Sequence, residues 1–145
     1  MKVLIITGTP GTGKTKIAKK LAKKYKAKYI NVNEFIKKNK IAEYYDQKDK
    51  CWVVDIKKLN RYLINLIKNS SKNLVIDSHL SHNLPKKYVD LCIVTKCNIK
   101  ILKLRLERRG YNKKKIRDNL DSEIFDICLI EALEKSKKAL LVCLD

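Results

Sequence analysis

The chain has 145 residues and a formal net charge of +19, from 34 Lys and Arg against 15 Asp and Glu. That length fits one domain spanning 1–145, of a size that buries roughly 70% of its unfolded surface, and 45% apolar residues supply a core, so the charge does not signal disorder. Four Gly and two Pro exclude a collagen-like or low-complexity chain, and no apolar run approaches the ~20 residues of a membrane span.

Lys2–Thr7 reads as a buried strand, because Val3, Leu4, Ile5 and Ile6 are continuous, as in parallel strands covered on both faces. This run is too short for a secretory signal. Lys14–Lys26 reads as a helix with Ile17, Ala18, Leu21, Ala22 and Tyr25 on one face and lysines on the other. Lys28–Val32 reads as a short strand, and Asn33–Lys38 and Ile41–Tyr45 as short helical pieces. Asp55–Lys68 reads as a helix capped by Asp55, with Ile56, Leu59, Leu63, Leu66 and Ile67 in one stripe. Leu74–Ser78 and Val89–Thr95 are further apolar strands. Asn98–Arg109 reads two ways. Its partial alternation suits a strand, while Asn98 as a cap and the long side chains suit a helix ended by Gly110. Lys113–Lys138 reads as one long helix and Ala139–Leu144 as a last strand. Strands alternating with helices predict a three-layer α/β fold around a parallel sheet.

Three of the four glycines fall in Gly8-Thr9-Pro10-Gly11-Thr12-Gly13-Lys14-Thr15, which matches the phosphate-binding loop pattern G-x-x-x-x-G-K-[ST]. Glycines let successive backbone N–H groups curl around a phosphate, and the following helix adds its positive end. Lys14 is placed to reach the β- and γ-phosphates of ATP, and the Thr15 hydroxyl to ligate Mg²⁺. An apolar strand leads in and a helix leads out, as the motif requires.

Asp77 ends the apolar run Leu74–Asp77. It reads either as the carboxylate that organises Mg²⁺ beside such a loop or as a turn cap. His79 and His82 follow it. Without a third ligand they make a weak zinc pair, and a hydrogen-bonded His79 beside the phosphate site suits them better. The five cysteines are odd in number, form no C-x-x-C pair, and point to a reducing cytosol.

Only Arg61, Arg105, Arg108, Arg109 and Arg117 are arginines; the other cations are lysines. Three of the five lie in 105–109, and Arg105 and Arg109 are spaced i, i+4 on one helical face. This pattern reads either as planar, bidentate phosphate contact or as a solvated helix end. The charge is uneven: residues 1–40 sum to +11, 41–80 to +2, 81–120 to +9 and 121–145 to −3. The basic excess suits nucleic acid, anionic surfaces or phosphate ligands, or is a compositional habit that solvates helix faces. No Asn-Lys-x-Asp guanine-reading tetrapeptide occurs, and the chain is short for an AAA-type ATPase. A small phosphate-loop domain with a late Arg cluster suits a nucleotide or small-metabolite kinase.

Several stretches together resemble the adenylate kinase isoenzyme 6 family. They are Gly8–Thr15 (GTPGTGKT), Lys28–Val32 (KYINV), Asp77-Ser78-His79 (D-x-H), Pro85–Asp90 (PKKYVD) and Arg105–Phe125, from RLERRGYNKKK to DNLDSEIF. The resemblance implies a nucleoside-monophosphate kinase core with a five-stranded parallel sheet in the order 2-3-1-4-5. It implies an acceptor-binding segment near 31–54 and a short lid near 108–118. By matching positions, Gly11, Gly13, Lys14, Thr15 and Lys16 would hold ATP phosphates and Arg109 would close from the lid. Thr15 and Asp77 would serve Mg²⁺, with Asp77 and His79 forming the acid-His motif, and Lys14, Arg109 and Arg105 would stabilise the transferring phosphoryl group.

The implied activity is Mg²⁺-dependent transfer from ATP to AMP. Lys37, or Lys38, stands where the family often has an acceptor-binding Arg. A role as an ATP-hydrolysing assembly factor for the small ribosomal subunit, with a ribosomal protein or rRNA as partner, is the family's other precedent. A shikimate-kinase-like metabolite kinase is a third reading. The sequence stops after the last strand, where relatives usually continue with a helix, so the resemblance also implies an uncovered apolar surface that invites dimerisation or instability.

Overall fold

The computed structural model describes residues 2–48, 51–78, 83–135 and 138–143. Five strands form one parallel sheet: β1 (Val3–Gly8), β2 (Lys28–Asn31), β5 (Leu74–Asp77), β6 (Leu91–Lys96) and β7 (Ala139–Cys143). Their spatial order is β2-β5-β1-β6-β7. Numbered among themselves, these strands follow the expected 2-3-1-4-5; chain numbering departs from it because two further strands intervene. Those two, β3 (Tyr44–Asp46) and β4 (Cys51–Val53), pair antiparallel as a separate hairpin.

The helices are α1 (Lys14–Lys24), α2 (Val32–Lys38), α3 (Ile56–Asn69), α4 (Ile99–Arg108), α5 (Lys113–Ile124) and α6 (Ile127–Lys135). The central strands are apolar without alternation because both faces are covered. Ile5, Ile76 and Val94 face a core shared with Ile36 of α2, Leu59, Leu63 and Ile67 of α3, and Ala132 of α6. Ile6, Val75 and Ile93 point the other way, onto Ala18 and Ala22 of α1. Each fully buried Ile or Leu contributes about 1.5–3 kcal/mol, so this two-sided burial holds the sheet. A third cluster joins Leu102 and Leu106 of α4 to Ile116 and Leu120 of α5.

Two expectations are corrected and one open alternative is settled. The region 41–45 is not helical: Tyr44 and Tyr45 enter β3, where the Tyr45–Trp52 cross-strand pair supplies contacts a short isolated helix would lack. The single helix over 113–138 is two helices. Asp126 takes φ 54°, a left-handed conformation that Asp tolerates better than most residues, and Phe125 caps α5. Asn98–Arg109 resolves to a helix, because Asn98 Oδ1 accepts from the N–H groups of Lys100 (2.9 Å) and Ile101 (3.4 Å).

Asp55 caps α3 as expected, accepting from Lys57 N at 3.0 Å. Ile124, Phe125, Ile127, Ile130 and Leu133 are large apolar side chains left exposed around the α5–α6 junction. Among the described residues, no helix is long and apolar enough to cross a membrane.

Candidate active site

The loop between β1 and α1 curls tightly because its glycines adopt left-handed angles. Gly11 has φ 91° and Gly13 φ 94°. A Cβ on Gly11 would also lie 2.9 Å from Leu102 Cδ1, so α4 packs directly against the loop. Below the loop runs a chain of buried hydroxyls. Thr12 Oγ1 donates to Thr9 O at 2.7 Å and lies 2.6 Å from Thr95 Oγ1, which donates to Thr7 O at 3.2 Å. Gly13 caps α1 without a side-chain hydrogen bond, and the first turn of α1 holds no acid. The N–H groups there are therefore left for an anion.

Lys14 reaches back over the loop, donating from Nζ to Gly8 O at 3.0 Å. Burial lowers its pKa from the ordinary 10.5 to about 8; Asp77 pulls it back up, and Arg109 pushes it further down. Thr15 Oγ1 donates to Asp77 Oδ2 at 2.9 Å, and the Tyr29 hydroxyl donates to the same oxygen at 2.7 Å. Burial, and then that bond, push Tyr29 up to about 12, so it stays a donor.

Lys14, Thr15 and Asp77 floor a cleft of about 1110 Å³. Lys16 and Lys19 line it near the loop. Arg109, Tyr111, Lys115 and Asn119 line it from the lid side, and Asn31, Asn33, Tyr45 and Trp52 from the side of α2 and the hairpin. A hydrogen bond joins the two sides, from Asn112 Nδ2 to Lys48 O at 2.9 Å. Lys115 Nζ sits 3.9 Å from the centre of the Tyr111 ring.

The structure thus brings together Gly11, Gly13, Lys14, Thr15, Lys16, Asp77 and Arg109 in one cleft. Two expected residues lie elsewhere. Arg105 sits behind the loop, donating from Nη1 to Gly11 O at 2.9 Å, because Leu102 and Leu106 pull its helix against that side. Lys37 is exposed in the last turn of α2 and is not part of the cleft wall, since Ile36 is the residue of that turn aimed inward. His79 and His82 lie outside the described residues.

Four features were missed from sequence: Tyr29 on Asp77, the Tyr45–Trp52 pair, Cys128 at the cleft, and Glu123. Burial pushes the Cys128 thiol up, with Lys14 pulling it back down. Glu123 is 4% exposed, and its position between Leu120 and Ile124, in a chain poor in acids, was the available signal.

Thr15 and Asp77 present a hydroxyl and a carboxylate side by side. Oxygen donors of this kind suit Mg²⁺, which keeps several waters and takes few protein ligands. No cluster of three or more His, Cys, Asp or Glu residues stands ready for a metal among the described residues.

A family model described as an AAA domain matches residues 4–126. The short length weighed against that description, yet the match covers most of the chain. A protein named "Putative adenylate kinase" from Methanocaldococcus jannaschii is 41% identical over 132 residues, covering 91% of this chain and 72% of that one. An adenylate kinase isoenzyme 6 homolog from Dictyostelium discoideum is 35% identical, covering 96% and 78%. Among solved structures, shikimate kinase from Acinetobacter baumannii shares the fold with TM-score 0.66 at 13% identity, covering 97% of this chain and 83% of that one.

Proposed function

From the premise that the chain belongs to the family of the adenylate kinase isoenzyme 6 homologues, and so is an adenylate-kinase-like P-loop kinase, we propose that it transfers the γ-phosphoryl group of ATP to AMP with Mg²⁺. The observation that carries this reading is the single cleft running from Lys14 to the Tyr45–Trp52 pair. At about 1110 Å³ it exceeds the ~300–1,000 Å³ of an ordinary one-ligand pocket, as a site for two nucleotides requires.

The loop N–H groups and Lys14 hold the β- and γ-phosphates, with Lys16 beside them. Lys14 loses its bond to Gly8 O when phosphate arrives, and the anion restores its full charge. Thr15 and Asp77 would hold Mg²⁺, which would neutralise phosphate charge. Tyr29 aims Asp77 at Thr15 by donating to the same Oδ2 that accepts from Thr15. Arg109 closes on the transferring group from the lid. The acceptor phosphate is already ionised and needs no strong base, so positioning and charge stabilisation supply the catalysis. Arg105 positions the loop through Gly11 and touches no reacting atom. On the acceptor side, Tyr45 and Trp52 offer ring faces to a base, and Asn31 and Asn33 offer amides. This relieves Lys37 of the acceptor role.

ADP formation from ATP tests the proposal, measured with AMP, CMP, dAMP or no acceptor. Turnover that depends on AMP supports it. Acceptor-independent hydrolysis stimulated by RNA or a ribosomal protein would establish the second reading, an assembly ATPase, which the net charge of +19 favours. Stimulation by shikimate alone would establish a metabolite kinase. The structural likeness to shikimate kinase concerns the fold and does not favour that outcome.

A further inference from the structure

Behind the phosphate loop lies a carboxylate that the proposed reaction does not use. Glu123 closes the last turn of α5, and both of its oxygens are engaged. Oε1 accepts from Thr9 Oγ1 at 3.2 Å and from Lys96 Nζ at 2.9 Å; Oε2 accepts from Cys97 N at 2.7 Å. Lys96 also donates to Glu123 O at 2.7 Å and pairs with Asp126 Oδ1 at 2.6 Å. Burial pulls the Lys96 ammonium down, but its bonds to Asp126 and Glu123 outweigh this and raise it.

A buried negative charge behind a loop that binds anions works against that loop electrostatically. Fixing a buried charge is also costly unless each of its bonds is made. Its placement therefore calls for a geometric reason. Thr9 supplies one. Its backbone carbonyl takes both the N–H (3.2 Å) and the hydroxyl of Thr12 (2.7 Å), so Thr9 sets the curl of the loop. At its other end α5 carries Lys115 and Asn119 into the cleft, and Asn112 caps it. A helix transmits a displacement along its axis because its backbone bonds are all made internally.

We infer that Glu123 is a positioning residue that locks α5 to the phosphate loop through the Thr9 hydroxyl, so that Lys115 stands in register with Lys14. The inference rests on the reading that the loop binds ATP. Lys96 pairs with the carboxylate and pins it to the end of β6, and the Thr9 bond carries its position to the loop.

A double-mutant cycle on ATP binding, followed with a fluorescent ATP analogue and no acceptor present, tests this. Glu123→Gln keeps the shape but loses the charge and one acceptor oxygen, and Thr9→Val removes only the hydroxyl. Each should weaken ATP binding about tenfold, the size of a lost hydrogen bond to a buried charge, and the double variant should be no weaker than either single one. Asp126→Asn is the control: it loosens the same ion pair at its solvent side, tolerates the same backbone angle, and should bind ATP as wild type does. Melting temperatures accompany each measurement. Additive losses, unchanged ATP binding in Glu123→Gln, or an equal loss in Asp126→Asn would overturn the inference while leaving ATP binding by the wild type intact. No ATP binding by the wild type would overturn the functional reading as well.

Discussion

At the phosphate end of the cleft each wall has a second layer behind it. Thr9 and Thr12 are at most 1% exposed and Asp77 is 5% exposed, α4 presses on Gly11, and Arg105 holds the Gly11 carbonyl. At the hairpin end Tyr45 and Trp52 are 43% and 37% exposed, and a hydrogen bond from Asn112 to Lys48 ties that end to the lid. The contrast matches two tasks. Phosphate charge must be met by donors already in place, because reorganising them at the moment of reaction would raise the barrier. An acceptor must enter and its product leave, which favours a wall with few buried contacts.

The largest effect expected from breaking this contrast is at the fixed end. Lys14→Ala should lower kcat about 10²–10³-fold, the range found when a single preorganised charge-stabilising group is removed. The far-ultraviolet circular dichroism spectrum should not change, because the Lys14 ammonium bonds to a loop carbonyl and not within a helix or strand ladder. A variant that kept wild-type turnover would remove the loop from the mechanism.

The same lysine gives a pH dependence. Its pKa lies at about 8, below the ordinary 10.5. Below pH 8 it is charged and ready for phosphate. Above that it loses its proton in the empty cleft, and ATP binding must bring one back. Affinity for ATP should therefore fall about tenfold per pH unit above pH 8, with proton uptake on binding, and Lys14→Ala should flatten the profile. For stability the sign is opposite: between about 8 and 10.5 the unfolded chain holds more protons, so the contribution of this group to stability rises with pH. Isothermal titration in buffers of different ionisation enthalpy checks the uptake.

At the open end, Trp52→Ala should raise the KM for the acceptor about tenfold, as loss of one base-stacking face does, while the KM for ATP stays within twofold. Trp52→Phe should restore most of it. Trp52 is the sole tryptophan of the chain, so its fluorescence reports acceptor binding directly. If AMP leaves that signal unchanged, the hairpin is not the base wall.

The two ends also differ in how far the sequence announces them. The loop was legible because its chemistry is local: eight consecutive residues carry the glycines, the lysine and the hydroxyl, and the flanking strand and helix are periodic. Asp77 was legible by register, as the last residue of an apolar strand. The hairpin was not, because three-residue strands show no periodicity and depend on a cross-strand aromatic contact. Arg105 and Arg109 share a helical face by spacing, yet only Arg109 lines the cleft. The tertiary packing of Leu102 and Leu106 against Gly11, invisible to spacing, put Arg105 behind the loop. The break at Asp126 was hidden for a related reason. A left-handed Asp has no strong local signature, and here its carboxylate is held at 2.6 Å by Lys96, thirty positions earlier in the chain.

The smallest expected effect separates the strap from the cap it is built on. Asn112 uses both ends of one amide: Oδ1 accepts from Lys115 N at 2.8 Å to cap α5, and Nδ2 donates to Lys48 O. Asn112→Ala loses both and should cost about 1 kcal/mol of stability, most of it from the cap. Asn112→Ser keeps a good capping oxygen but is too short to reach the hairpin. It should melt within about 1 °C of wild type and change the KM for the acceptor by about two- to fivefold, the worth of one exposed hydrogen bond. The direction of that change is informative. A higher KM means that the strap holds the hairpin in its binding position. A lower KM with faster product release means that it holds the cleft shut against entry. An unchanged KM in Asn112→Ser would show that the hairpin keeps its place without the lid, and the open end would then be more rigid than its exposure suggests.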